Sequence, residues 1–224
     1  MSVTAEAPVS VPIEVVSDVV CPWCYIGKRR LEAAIALNPD VSVRINWRPY
    51  FLNPWIPREG IDRQTYLETK FGSAERYSVI AERVAAAAAM EGLPYAPEKM
   101  SRQPNTLDCH RVILWSRSAT DPARMKQRLM ELYFAEGADL TDPKVLIQAA
   151  ADCGMDGDLV RRLLASDADI DRIESEASSA KEAGIDGVPC FIFGGGVIVT
   201  GAQSPEYLAS AIERTAGRHT RLSA

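Results

Sequence analysis

The feature that most constrains this chain is an abrupt change of texture around Cys21-Pro22-Trp23-Cys24. Before it, Ile13-Glu14-Val15-Val16 is a short β-branched run suited to a buried strand. After it, Ile26, Arg30, Ala33 and Leu37 recur at helical spacing until Asn38-Pro39-Asp40 stops the pattern. Pro22 fits the first helical position, where a missing N–H costs nothing. Residues 41–47 alternate and are β-branched, so the opening reads strand, helix, strand, the unit that builds a parallel sheet.

Residues 63–183 change to Ala, Leu, Met, Glu and Arg at helical spacing, broken at 92–97, Pro104, 121–122, 137–143 and 154–157. Asp142-Pro143 reads as a helix start, Gly154 as a stop, and 168–183 as a long helix closed by Gly184. Strands return at 189–193 and 197–200 around a Gly194-Gly195-Gly196 turn, a hairpin pattern, and a last helix is expected over 205–216. The order implies an α/β fold split in sequence, 12–62 with 184–216, carrying a helical insertion over 63–183. The ends, 1–11 and 217–224, are expected to be mobile.

With 224 residues, 47% of them hydrophobic and 25% charged, the chain has enough apolar material for a substantial core. A net charge of -5 leaves no broad basic surface to neutralise phosphates, which argues against a nucleic-acid partner. Lys28-Arg29-Arg30 reads as a solvated helix face. No apolar run reaches the roughly 18 residues of a membrane span, so no membrane partner is expected. Residues 1–12 lack a basic start and a continuous apolar run, so the expected location is cytoplasmic. Five cysteines, an odd number, do not form a disulfide framework, and such thiols are catalytic, metal-bound or buried.

A cysteine at a helix N-terminus meets backbone N–H groups that stabilise its thiolate, so Cys21 is the candidate nucleophile. Cys24, almost one turn on, is placed to attack a mixed disulfide formed by Cys21. Pro22 and Trp23 would tune that thiolate and face substrate. Zinc is the competing use, but Cys109-His110 is the one candidate for a second ligand pair and adjacent ligands are not the usual spacing, so no metal is expected. In Gly187-Val188-Pro189 the proline either starts a strand or forms a cis turn that offers the Val188 backbone to an extended substrate.

Other candidates stay open. His110 either assists Cys21 by its charge or is a hydrogen-bonded helix residue. Cys190 is either a third thiol able to capture Cys21 or a substrate, or a core residue, the core being preferred, and Cys109 and Cys153 are read as structural. His219, near Arg218 and Arg221, is read as solvated. Residues 47–54 are apolar enough to wall a groove, with packing the preferred duty. Tyr66, Phe71 and Tyr77, with Met90 and Met100, form either a substrate lid or a core stripe, the stripe being preferred.

Ser17-Asp18-Val19-Val20-Cys21-Pro22-Trp23-Cys24-Tyr25-Ile26-Gly27, then Asn105-Thr106, His110-Arg111, Gly187-Val188-Pro189 and Gly201-Ala202-Gln203, together resemble the FrnE branch of the DsbA family. The resemblance runs from about Ile13 to Ala216. It implies a thioredoxin-like domain with a large helical insertion, a cis proline at Pro189, dithiol–disulfide exchange at Cys21 and Cys24, and a groove to which Asn105 and His110 contribute. The same superfamily includes 2-hydroxychromene-2-carboxylate isomerases and kappa-class glutathione transferases, which carry serine at the nucleophile position; this chain departs from them.

The leading expectation is therefore a cytoplasmic thiol–disulfide oxidoreductase with protein or small-molecule thiol or disulfide substrates. It needs no tightly bound cofactor, with glutathione as a possible co-substrate and glutathione or a thioredoxin-type protein as reductant. The alternatives are a glutathione-dependent isomerase or transferase, and a redox-sensitive chaperone or binding module using the helical block.

Overall fold

The computed structural model describes residues 10–222. In chain order the strands are β1 (Ser10–Ser17), β2 (Ser42–Pro49), β3 (Ile61–Asp62), β4 (Arg102–Gln103), β5 (Cys190–Phe193) and β6 (Val197–Thr200). The main sheet runs β2-β1-β5-β6, with β1 and β2 parallel and the other neighbours antiparallel. Parallel neighbours need a crossover, and α1 (Pro22–Ala36) supplies it. The short β3 and β4 pair antiparallel, β3 just ahead of the 63–183 segment read from sequence as helical and β4 within it.

Strand alternation sorts the core into two layers. Val11, Ile13 and Val15 of β1 join Phe191 and Phe193 of β5 on one face, against Leu31 and Ala34 of α1 and Leu208 and Ile212 of α9 (Pro205–Leu222). On the other face, Val16 and Cys190 meet Tyr50, Ala180 and Ile185.

Between β3 and β5 lie α2 (Arg63–Phe71), α3 (Ala74–Met90), α4 (Leu107–Ser116), α5 (Pro122–Glu131), α6 (Pro143–Asp152), α7 (Gly157–Leu164) and α8 (Ile170–Glu182). Asp121 and Asp142 cap α5 and α6 ahead of their first-turn prolines, accepting from the N–H of Ala123 and of Lys144, both at 2.8 Å. These helices share a core with the cysteine pair: Cys21, Cys24 and Tyr25 pack in one cluster with Val112, Met125, Leu129 and Phe134. Arg111, fully buried on α4, donates to the carbonyls of Leu163, Ser166 and Ala168 and to Asp108, closing the C-terminal end of α7.

Several expectations change. Val11 is buried in β1, and α9 continues through Gly217 to Leu222, so residues 10–11 and 217–222 of the two expected mobile ends belong to regular elements. Residues 1–9 and 223–224, and the side chain of His219, lie outside the described residues. The buried residues of α1 are Cys24, Tyr25, Ile26, Gly27, Lys28, Leu31 and Ala34, so of the expected stripe Ile26 is buried while Leu37 is exposed. Lys28 is not solvated; it is buried and paired with Glu32 one turn on, where its stem covers apolar surface. Among the lid or stripe residues, Tyr66 and Met100 are buried, but Met90 is exposed at the end of α3 and belongs to no stripe. No helix among the described residues is long and apolar enough to cross a membrane.

Candidate active site

Cys21 is the N-terminal cap of α1, with extended backbone (φ -90°, ψ 113°) and Pro22 in the first turn. Its carbonyl accepts from the N–H groups of Cys24 at 2.9 Å and Tyr25 at 3.2 Å, so the helix begins on the nucleophile's own peptide. The Cys21 thiol is lowered in pKa, first by a hydrogen bond from the Cys24 thiol and further by the N–H groups of Cys24 and Trp23. Burial and the Asp18 carboxylate oppose that shift. Cys24 moves the opposite way, well above its ordinary value, first because burial penalises its thiolate and then because Cys21 holds the negative charge. One sulfur is therefore poised to attack while the other retains its proton.

The Val188–Pro189 peptide is cis, and the Cys21 sulfur lies 3.6 Å from the Val188 carbonyl oxygen. Trp23 and Val188, both half-buried, pack on the cluster that holds the two cysteines. Gly27 lets α1 close on this loop, since a Cβ there would stand 2.9 Å from Cγ of Pro189.

Beneath the pair lie buried charges. Asp18 follows β1, accepts from the Leu52 N–H at 2.8 Å, and sets its other oxygen 3.4 Å from Nε2 of His110. Burial works to raise the Asp18 pKa, but His110, the Leu52 N–H and Lys126 together hold it below the ordinary carboxylate value. His110, read from sequence either as assisting Cys21 or as a hydrogen-bonded helix residue, faces Asp18, and from this side the carboxylate's charge acts on the nucleophile. Lys126, on α5, is fully buried with its ammonium 5.4 Å over the Trp47 ring.

A cavity of about 310 Å³ opens next to Asp18 and Val20, walled by Phe51, Asn53, Asn105 and Lys181. Phe51 and Asn53 show that the 47–54 segment serves the cavity as well as packing. Asn105 contributes a wall whose polar atoms are already engaged: its amide donates to the Ile56 carbonyl and accepts from the Leu107 N–H, starting α4. Asn53 accepts from Lys70 at 2.5 Å. Burial lowers the Lys70 pKa while the charges of Cys21 and Asp18 pull it up, so a cation stands within electrostatic reach of the nucleophile.

Cys190 and Cys109 are buried, and burial raises both thiols. Cys153 is buried at the end of α6. Among the described residues no three His, Cys, Asp or Glu side chains gather to hold a metal ion. Asp18, Lys70 and Lys126 escaped the sequence reading. Lys126 did leave a signal, for it sits within the apolar stripe Met125, Leu129, Met130, where a lysine is out of place.

A Bacillus subtilis relative, the uncharacterized protein YwbO, is 26% identical over 205 residues, 91% of this chain and 96% of its own length. Among solved structures, one described as a probable DsbA oxidoreductase from Streptomyces coelicolor superposes with a TM-score of 0.83 at 28% identity, covering 92% of this chain and 90% of that one. The cytosolic disulfide reductase DsbM of Pseudomonas aeruginosa shares the fold at 15% identity and a TM-score of 0.62, covering 95% of this chain and 98% of its own, and has also been solved with GSH. The DSBA-like thioredoxin domain matches residues 12–213, nearly the whole described chain, and the protein belongs to that family.

Proposed function

We propose that the protein is a dithiol–disulfide oxidoreductase of the cytoplasm, with Cys21 as nucleophile and Cys24 as resolving thiol. The observation that carries this reading is the opposed state of the two thiols at the start of α1, one favoured as thiolate and the other held protonated. In the first step the Cys21 thiolate attacks a substrate disulfide, joining one substrate sulfur to Cys21 and releasing the other as a thiolate. In the second, Cys24 loses its proton and attacks Cys21, closing the internal disulfide and expelling the reduced substrate. The Val188 carbonyl next to Cys21 is available for strand-like pairing with an extended peptide.

Five free, buried cysteines and no framework disulfide suit a reducing compartment, where glutathione and thioredoxin-type pools keep thiols reduced. Net reduction or isomerisation of disulfides therefore fits better than net oxidation. The GSH-bound DsbM structure and the cavity beside Asp18 support glutathione as co-substrate.

The test is trapping. Cys21→Ser should abolish exchange with glutathione disulfide and with an extended disulfide peptide. Cys24→Ser should accumulate a mixed disulfide at Cys21, visible as added mass. Exchange that survives in Cys21→Ser removes the mechanism.

A further inference from the structure

Resolution has a requirement that α1 alone does not meet. Cys24 must become a thiolate at a site where burial opposes the charge, and the hydrogen bond it gives to Cys21 is lost once Cys21 is tied to substrate. Another source of positive charge is needed beneath it.

Lys126 is 1% exposed, inserted from α5 into the apolar cluster that holds both cysteines. Among the described residues it has neither an ion pair nor a hydrogen bond to either sulfur. A buried ammonium without a touching carboxylate is destabilising, and burial shifts it toward the neutral form. The charges that pull it back toward the cationic form are Cys24, Asp18 and Cys21, in that order, and Lys28 on α1 pushes the other way. Asp18, the carboxylate whose charge reaches it, accepts from the Leu52 N–H and stands 3.4 Å from Nε2 of His110. Lys126 and His110 line a narrow crevice with Arg48 of β2, Arg117 at the C-terminal cap of α4 and Glu176 of α8. Arg48 is paired with Glu14, and Arg117 donates to Asn46 and to the Trp47 carbonyl, so these charges are engaged elsewhere.

The geometry points to Lys126 as the buried cation that makes the resolving thiol of Cys24 ionisable, and so sets the pH at which the second half of exchange runs. It acts through space as a positioning residue. The proposal rests on the exchange reading above. When the mixed disulfide forms, Cys21 carries no charge, and the Cys24 thiolate becomes the anion that the ammonium stabilises. Cys24 gives its proton to solvent, the Cys24–Cys21 S–S bond forms, the Cys21–substrate S–S bond breaks, and the substrate sulfur leaves with the electron pair and takes up a proton.

The two steps can be read separately with an aromatic disulfide such as 5,5′-dithiobis(2-nitrobenzoic acid), which releases one coloured thiolate on attack by Cys21 and a second on resolution by Cys24. Reduced wild type, Lys126→Met and Lys126→Arg are mixed with the reagent across pH of about 5 to 10. In Lys126→Met the pH midpoint of the second release should rise by about one unit or more, slowing it about tenfold at neutral pH, with a smaller change in the first release. Lys126→Arg should restore the wild-type midpoint of the second release. If Lys126→Met does not fold, Lys126→Gln is read in the same way. An unchanged midpoint of the second release, or equal slowing of both releases with both midpoints kept, overturns the assignment. Absence of any Cys21-dependent release in wild type overturns the exchange reading, and this assignment with it.

Discussion

The Cys21 sulfur and the Val188 carbonyl oxygen, 167 residues apart in the chain, stand 3.6 Å from one another. The contact joins the start of α1 to the loop before β5. A protonated thiol is a weak donor to that oxygen. Ionisation removes the donor and leaves the carbonyl free to accept from another N–H, so the state of the nucleophile and the hydrogen bonding of the loop are linked.

That proximity depends on Gly27. A methyl at this position would stand 2.9 Å from Cγ of Pro189 and 3.3 Å from the Phe191 ring, neither of which is the loose end of a flexible chain. Overpacking of this kind costs about 1–3 kcal/mol, against about 1 kcal/mol that alanine gains over glycine in a helix. Gly27→Ala should therefore lower the urea midpoint and slow the first step of exchange. A variant more stable than wild type, with the first step unchanged, would show that α1 does not bear on the proline loop.

The strand, the helix and the cysteine pair were legible because they are local: β-branched runs, a first-turn proline and a three-residue spacing specify them without reference to the rest of the chain. The charges under the pair were not. Asp18 sits next to the motif in sequence, but its partner His110 arrives from α4 and Lys126 from α5, and single-sequence patterning cannot state which helix faces which. The two roles left open for His110, assisting Cys21 or bonding within its helix, could not be narrowed to Asp18 from the sequence for the same reason. Lys28 was misjudged for a related reason: its place on α1 reads as solvent-facing until α5 and α6 pack beside it.

Asp18 provides a pH prediction. Its carboxylate raises the Cys21 pKa, so Asp18→Asn should move the Cys21 thiolate midpoint downward and speed alkylation of Cys21 at acid pH. Asp18 is itself lowered in the folded protein. Its stabilisation is thus present above the unfolded value near 3.9 and lost as pH falls through the lower folded value. Acid unfolding of the variant should lack that component. Alkylation followed by mass at Cys21 checks the first expectation, and a midpoint that stays or rises contradicts it.

Alkaline pH acts on the reduced protein with the opposite sign. Cys24 and Cys109 are both raised well above the ordinary thiol value, chiefly by burial. Once pH exceeds the unfolded thiol value, near 8.5, the unfolded chain sheds protons that the folded one retains, and stability falls. Each thiol contributes a slope of up to about 1.4 kcal/mol per pH unit. Cys153 and Cys190, also raised by burial, and the buried tyrosines at higher pH add the same sign, so the informative quantity is a difference between forms. Oxidising the Cys21–Cys24 pair should remove one slope and Cys109→Ala the other, measured by urea unfolding from about pH 8 to 10. Parallel curves for all three forms would mean that neither thiol is held protonated by the fold.

Arg111 tests whether the helical segment is fastened independently of the chemistry. Its guanidinium is fully buried and donates to the carbonyls of Leu163, Ser166 and Ala168 at 2.8, 2.6 and 2.7 Å, and to Asp108 at 2.6 Å. The three carbonyls belong to the last turn of α7 and the connection to α8, where helical geometry leaves acceptors without partners. It also lies 4.8 Å from the centre of the Trp115 ring, whose indole N–H donates to Asp169 at 2.8 Å. Asp169 holds a left-handed backbone, φ 60°, ahead of α8, so this turn needs outside support. Hydrogen bonds to a charged group contribute about 1.5–3 kcal/mol each, and removing the guanidinium breaks these bonds to a half-buried turn and empties the fully buried place the Arg111 side chain fills. Arg111→Leu should cost about 3–5 kcal/mol by urea unfolding, and Arg111→Lys nearly as much, because one ammonium cannot span the same carbonyls. The Cys21 thiolate midpoint should stay where it is in whatever folded fraction remains, since Arg111 is absent from the groups that shift that thiol most. A shifted midpoint would instead tie the α7–α8 turn to the cysteine pair through Asp18 and His110, the neighbour of Arg111 in the chain.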